Sequence, residues 1–152
     1  MNLEFFDLLY ADTDFCEAMG RATLAAGHLE STLYALLAER GVTIPRKGAS
    51  FGRIIGTLQK HKLISENAFT SLKDVKEQRN YLTHCLFDLF SGRIAETMVP
   101  GSDLVPLDVV GFTEMARQLE ENMRGLSMIV ERRLGVSAEL GPATNPDRLL
   151  LR

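Results

Sequence analysis

The sequence predicts an all-α protein, an up-and-down bundle of four to five helices, and three observations carry that reading. Apolar residues recur every three or four positions through three long segments, the spacing of one helix face. Those segments end at glycine, and Pro and Gly gather between them, in 41–49 and 92–111. β-branched pieces are short and few, too few for an α/β enzyme.

The elements follow in order. Asp12, Thr13 and Asp14, with Glu17 behind them, supply an N-cap and first-turn carboxylates. From there Phe15, Met19, Ala22, Ala26, Leu29, Leu33, Leu36 and Leu37 form one stripe that closes at Arg40 and Gly41, a basic residue and a glycine stop. Residues 3–10 are either a short helix of their own or the leading turn of this one. Residues 41–49, with Pro45 and Gly48, make a loop. The second helix, 50–62, buries Phe51, Ile54, Ile55 and Leu58. Its interior Gly52 and Gly56 each weaken it by about 1 kcal/mol relative to Ala, or else admit a neighbouring helix at close range. Ser65 caps the next helix, 66–90, which runs through Phe69, Leu72, Val75, Leu82, Leu86 and Leu89 until Gly92 stops it. Residues 93–111 hold Pro100, Gly101, Pro106 and Gly111 among short β-branched pieces at 94–99 and 108–110. They are predicted as a long irregular connection across the end of the bundle, with room for a small hairpin. The last helix then begins at Phe112 or Thr113 and ends at Leu134, through Met115, Leu119, Met123, Leu126, Ile129 and Val130. The bundle thus occupies 1–135, and 136–152, with Gly141, Pro142 and Pro146, is predicted as a flexible tail.

Composition narrows the function. At 152 residues the chain is one ordinary domain that can bury a core without staples. Hydrophobic residues at 45% and charged residues at 24% place it among soluble globular proteins. Cys16 and Cys85, with no C-x-x-C and no His at ligand spacing, read as buried thiols of a reducing compartment, so no metal and no cofactor is expected. There is no Gly-rich phosphate loop and no G-x-S-x-G. The opening stretch is acidic, unlike a signal or transit peptide, and no apolar run nears the roughly 20 residues that span a bilayer. The expected location is cytoplasmic, with no membrane partner. The net charge of −3 hides a pattern, because residues 45–93 carry nine Lys or Arg against four Asp or Glu. A local basic patch of this kind attracts a phosphodiester, although a solvated helical surface has the same composition.

Within that basic third lies the hexapeptide Arg79-Asn80-Tyr81-Leu82-Thr83-His84. With Arg79 at zero on a helical wheel, Thr83 falls near 40°, Asn80 near 100° and His84 near 140°, at roughly 100° per residue. One helix face then bears a cation, an amide, a hydroxyl and an imidazole, joined by Lys76 and Lys73 at about 60° and 120°. Val75, Leu82, Leu86 and Leu89 are assigned to a separate apolar stripe. His84 can exchange a proton near neutrality, and Arg79 can hold a phosphate bidentately. Asn80, four residues before His84, can orient imidazole or substrate. Such a set suits cleavage of RNA without metal: the imidazole activates the ribose 2′-OH and the guanidinium stabilises charge growing on phosphate. Lys73, Lys76, Thr83 and Arg53 are the candidate RNA contacts. The residues alone also admit a purely structural reading, with Arg79 paired to an acid and His84 satisfied at the bundle edge. His28 reads as structural and His61 as part of the basic surface.

Arg79-Asn80-x-x-x-His84, late in an amphipathic helix of a small all-α chain, resembles the R-x4-6-H signature of HEPN domains, in which the residue after Arg is commonly polar. The motif covers six residues, and the helix layout extends the likeness to most of the chain. The resemblance implies a four- or five-helix bundle, a homodimer whose motif helices meet in a shared cleft, and metal-independent endoribonuclease activity. The settings it implies are toxin–antitoxin and anti-phage defence, with an antitoxin or neighbouring regulatory protein as partner. Carried over by position, Arg79 contacts the phosphate and transition state, Asn80 is its polar companion, and His84 is the general base or acid. One departure is clear. Toxins of this family silenced by a nucleotidyltransferase carry Tyr two residues after the His, and here that position is Leu86. The family also contains noncatalytic modules that bind RNA, a nucleotide or a protein, which is the alternative reading.

Overall fold

The structure, a computed structural model, describes residues 3–44, 50–90 and 106–139. It is an all-α helical bundle, with five helices and no strand among the described residues: α1 Leu3–Ala11, α2 Thr13–Glu39, α3 Phe51–Lys60, α4 Glu66–Phe90 and α5 Pro106–Glu139.

Local chemistry accounts for most helix ends. Residues 3–11 form a helix of their own, and Asp12 caps α2 by accepting the Phe15 N–H at 2.7 Å. At the far end Gly41, with φ of 69°, donates to Ala38, and Val42 donates to Leu37 at 2.9 Å. That is the two-bond pattern in which a left-handed residue closes a helix. Ser50 caps α3 through the Arg53 N–H, and Ser65 caps α4 through the Ala68 N–H at 3.2 Å. Helix α3 ends in the same closing pattern as α2, but its left-handed residue is Lys62, with φ of 53°.

Helix α5 departs from the sequence reading. It starts at Pro106, so 108–110 are helical and not extended. Proline suits a first helical position, and the carboxylate of Asp108 sits in the first turn, buried, where the helix dipole favours it. Burial of Val109 and Phe112 outweighs the strand preference of the β-branched pair. The helix also passes through Gly135 to Glu139, beyond the stop placed at Leu134. The hairpin considered for the connection falls mostly on 93–105, outside the described residues, as does the tail from 140 onward.

The chain forms two compact units. The first comprises Met1–Ala26 and Glu77–Asn122, the second Gly27–Lys76 and Met123–Arg152. In the first, Leu9, Phe15, Ala18, Ala22 and Ala25 are buried, with Leu82 and Leu86 of α4 and Phe112, Ala116 and Leu119 of α5. Arg21 bridges α2 to α5 there, its Nε 3.1 Å from Glu120 and its Nη1 3.1 Å from Glu17. Hydrogen bonds to Glu17 and Glu120 push this guanidinium further up, so it stays cationic at every working pH. In the second unit Leu29, Leu33, Leu36 and Leu37 of α2 are buried, as are all four apolar residues of α3, Leu72 and Val75 of α4, and Met123 and Val130 of α5. The Tyr34 hydroxyl donates to the Ile44 carbonyl, and His28 Nε2 lies 2.9 Å from Glu131. Helices α2, α4 and α5 of this unit leave a recess of about 250 Å³ lined by Leu36, Ile64, Asn67, Ala68, Ser71, Leu72, Leu126, Ile129, Val130 and Arg133.

Several burial expectations change. Phe15 and Ala22 are buried as expected, but Ala18 and Ala25 take the core places expected for Met19 and Ala26, which are only half-buried. Ile129, expected in the core, is 52% exposed. Cys16, expected to be buried, is exposed, its thiol facing the Leu9 and Tyr10 carbonyls at the corner between α1 and α2. The Cys85 side chain lies outside the described residues. Gly56 has nothing within 4 Å of a Cβ built on it, so no helix approaches there. At Gly52 the neighbour is the Lys76 side chain, with Cε at 3.4 Å.

Candidate functional site

Helix α4 carries the candidate site, and its register explains the burial of each side chain. Leu72, Val75, Leu82 and Leu86 are buried. They follow a spacing of three, seven and four, and Arg79 fills the missing step between Val75 and Leu82. A heptad drifts by only about 20°, so Leu72 and Leu86, each seven residues away, nearly eclipse Arg79. The arginine therefore stands in the apolar stripe itself, not on a face separate from it, and it is half-buried. Apolar residues would complete this stripe; a guanidinium interrupts it. The spacing was visible in the sequence once Arg79 was counted against the leucines and not only against His84.

Asn80 is half-buried, and Thr83 and His84 are exposed. Thr83 Oγ1 donates to the Arg79 carbonyl at 3.0 Å, so its proton is committed to its own helix and is not offered to a phosphate in this rotamer. Arg79, Asn80, Thr83 and His84 all belong to the first unit. Tyr81, on another face of α4, is 53% exposed.

The remaining candidate contacts belong to the second unit. Lys73 is exposed on α4, and Arg53 is exposed on α3. Lys76 is half-buried because its stem lies across Gly52, with the ammonium nitrogen 3.7 Å from where a Cβ would stand. The end of the side chain, Cδ to Nζ, thus lies over the space that the missing Cβ of Gly52 leaves. His61 is exposed at the C-cap of α3, its backbone N–H donating to Thr57 at 3.0 Å.

A neutral clamp beside Arg79 was not foreseen. Gln118 donates to Asn122 at 3.1 Å, and Asn122 donates to Gln78 at 3.0 Å, tying α5 to α4 within the first unit at the residue next to Arg79. No local motif marks such a pair, because Gln78 and Asn122 lie 44 positions apart.

Chemically, the first unit offers an arginine and an asparagine, both half-buried, followed little more than one turn later by an exposed histidine. The cation can stabilise an oxyanion, and the imidazole can accept or deliver a proton. Among the described residues no three His, Cys, Asp or Glu side chains form a metal-sized group, and no helix is long and apolar enough to cross a membrane. No known family model, curated protein or solved structure matches the chain.

Proposed function

We propose that the protein is a metal-independent endoribonuclease of HEPN type, working in the cytoplasm as a toxin or anti-phage defence component. The observation that carries the proposal is Arg79: a cation occupies a position of the α4 stripe that packing alone would give to a leucine, five residues before an exposed His84. Places where a residue departs from what packing alone would choose are common at functional sites.

In the proposed reaction His84 takes the proton of a ribose 2′-OH. The 2′-oxygen then bonds to phosphorus, and the bond to the 5′-oxygen breaks. Arg79 stabilises the charge on the phosphoryl oxygens, and Asn80 orients the imidazole or the phosphate. The leaving 5′-oxygen collects a proton from a second imidazole or from water. The products are a 2′,3′-cyclic phosphate and a 5′-hydroxyl end. DNA lacks the internal nucleophile and is not cut. A homodimer supplies the second His84, since two-fold pairing doubles the groups around one phosphate. Lys73, Lys76 and Arg53 contribute positive charge that draws RNA to the protein. An antitoxin or neighbouring regulatory protein would restrain the activity.

The deciding experiment incubates total RNA with wild type and with His84→Ala in EDTA. Cleavage that survives chelation, leaves cyclic phosphate ends and vanishes in the variant is the expected result. Intact RNA with both proteins overturns the enzymatic reading. RNA retained without cyclic phosphate ends would instead identify a noncatalytic binding module.

A further inference from the structure

The recess in the second unit has the features of a small-ligand site. Its floor is apolar, with Leu36, Leu72 and Val130 buried beneath it, and Leu126 half-buried at its side. Its polar groups sit at the rim. The Ser71 hydroxyl there is already spent on the Asn67 carbonyl at 3.0 Å. The Arg133 guanidinium lines the recess, is exposed, and has neither ion pair nor hydrogen bond among the described residues. An apolar cavity with one convergent charge selects a ligand with an apolar body and one opposite charge.

We propose that this recess binds a short amphipathic anion, an aliphatic tail of about eight non-hydrogen atoms carrying a carboxylate or phosphate head that pairs with Arg133. The length follows from the volume: about 250 Å³ holds about eight liquid-packed atoms at roughly 30 Å³ each. Drug-sized ligands need pockets of about 300 Å³ or more, so a short chain is the better fit. The anionic head follows from Arg133, the cation of the lining set, which pairs with carboxylate or phosphate alike. The proposal goes beyond the ribonuclease reading and uses none of its residues, so either can fail alone.

The test titrates the full chain with butanoate, hexanoate, octanoate and dodecanoate, and with octyl phosphate and octanol, following amide cross-peaks by NMR. Shifts are expected at Ala68, Ser71 and Val130. Affinity should rise about three- to fourfold per methylene up to octanoate, the transfer gain of a buried methylene, and then level off. Octanoate and octyl phosphate should both bind more tightly than octanol, and the better of the two identifies the head group. Arg133→Gln should weaken octanoate about three- to fivefold, as for a solvent-screened ion pair. Arg132→Gln removes the same charge from a neighbour outside the lining and should change nothing. Ala68→Leu fills the recess and should abolish binding while thermal unfolding shows a folded chain. Absence of saturable shifts overturns the proposal. So does an affinity that keeps growing past octanoate, or one indifferent to Arg133, since either marks nonspecific surface association.

Discussion

The two units share the same three long helices and pack them differently. In the first, α2 buries Ala18, Ala22 and Ala25; in the second it buries Leu29, Leu33, Leu36 and Leu37. The α4 stripe is apolar through Leu72 and Val75 in the second unit, but opens in the first on a half-buried Arg79. The first unit adds polar links, Arg21 to Glu120 and Gln78 to Asn122. The second adds α3, which buries Phe51, Ile54, Ile55 and Leu58. Apolar area is the main source of stability, and links between exposed polar groups contribute little. The second unit therefore contributes the larger share of aliphatic burial, and the first interrupts its apolar stripe with Arg79.

The largest expected effect tests that division directly. Leu33 is fully buried in the second unit, and Leu33→Ala should cost about 3 kcal/mol from lost transfer energy and the cavity left behind. Thermal unfolding should fall by about 6–12 °C for a chain of this length. A loss under about 1 kcal/mol would mean that the leucine core does not dominate. Arg79→Met, in the first unit, should do the opposite. It restores the stripe with a side chain of similar length, so stability should change by less than about 1 kcal/mol while RNA cleavage falls at least about 100-fold. A structural arginine predicts the reverse, a loss of about 3–5 kcal/mol from breaking a buried pair. Urea unfolding and cleavage rates on the same preparations separate the two outcomes.

What could be read from the sequence was what local chemistry decides. Asp12 and Ser65 mark helix starts and Gly41 marks a stop, because a cap is made with a residue two or three positions away. The start of α5 escaped, since Val109 and Val110 favour strands locally and only their surroundings make them helical. Gly135 escaped for the converse reason: a glycine lowers helix propensity but does not end a helix by itself. At the candidate site Arg79, Asn80 and His84 were found from residue type and spacing. The place of Arg79 in the stripe shows only when its spacing is counted from Leu72, Val75, Leu82 and Leu86, seven or fewer residues away. The recess was beyond reach, being the space that α2, α4 and α5 leave unfilled.

A smaller effect sharpens the contrast from within the second unit. Gly56 sits inside α3 with nothing within 4 Å of its added Cβ, so Gly56→Ala should stabilise by about 1 kcal/mol. Melting should rise by about 2–4 °C. Gly52→Ala should gain somewhat less, because the new methyl meets the Lys76 stem at 3.4 Å and restricts it. Equal or larger gains at Gly52 would show that the Lys76 stem is not held there.

The smallest expected effect comes from the two closing residues of the second unit. Gly41 and Lys62 make the same pair of carbonyl contacts at the ends of α2 and α3, at φ of 69° and 53°. Glycine reaches that region freely, whereas a side chain there costs about 1–2 kcal/mol. Lys62→Gly removes this cost but enlarges the unfolded ensemble by about 0.4–1 kcal/mol, and it deletes a positive charge that the α3 carbonyl end favours by about 0.3–1 kcal/mol. These terms nearly cancel, and the balance should lie within about 1 kcal/mol of zero. Lys62→Asn, which tolerates the left-handed region and keeps a side chain, should gain, because the unfolded chain is less enlarged. If both variants lose stability in urea, the ammonium at the end of α3 outweighs the strained backbone. Lys62 would then be a net contributor to the fold, in keeping with the second unit as the more stabilising half.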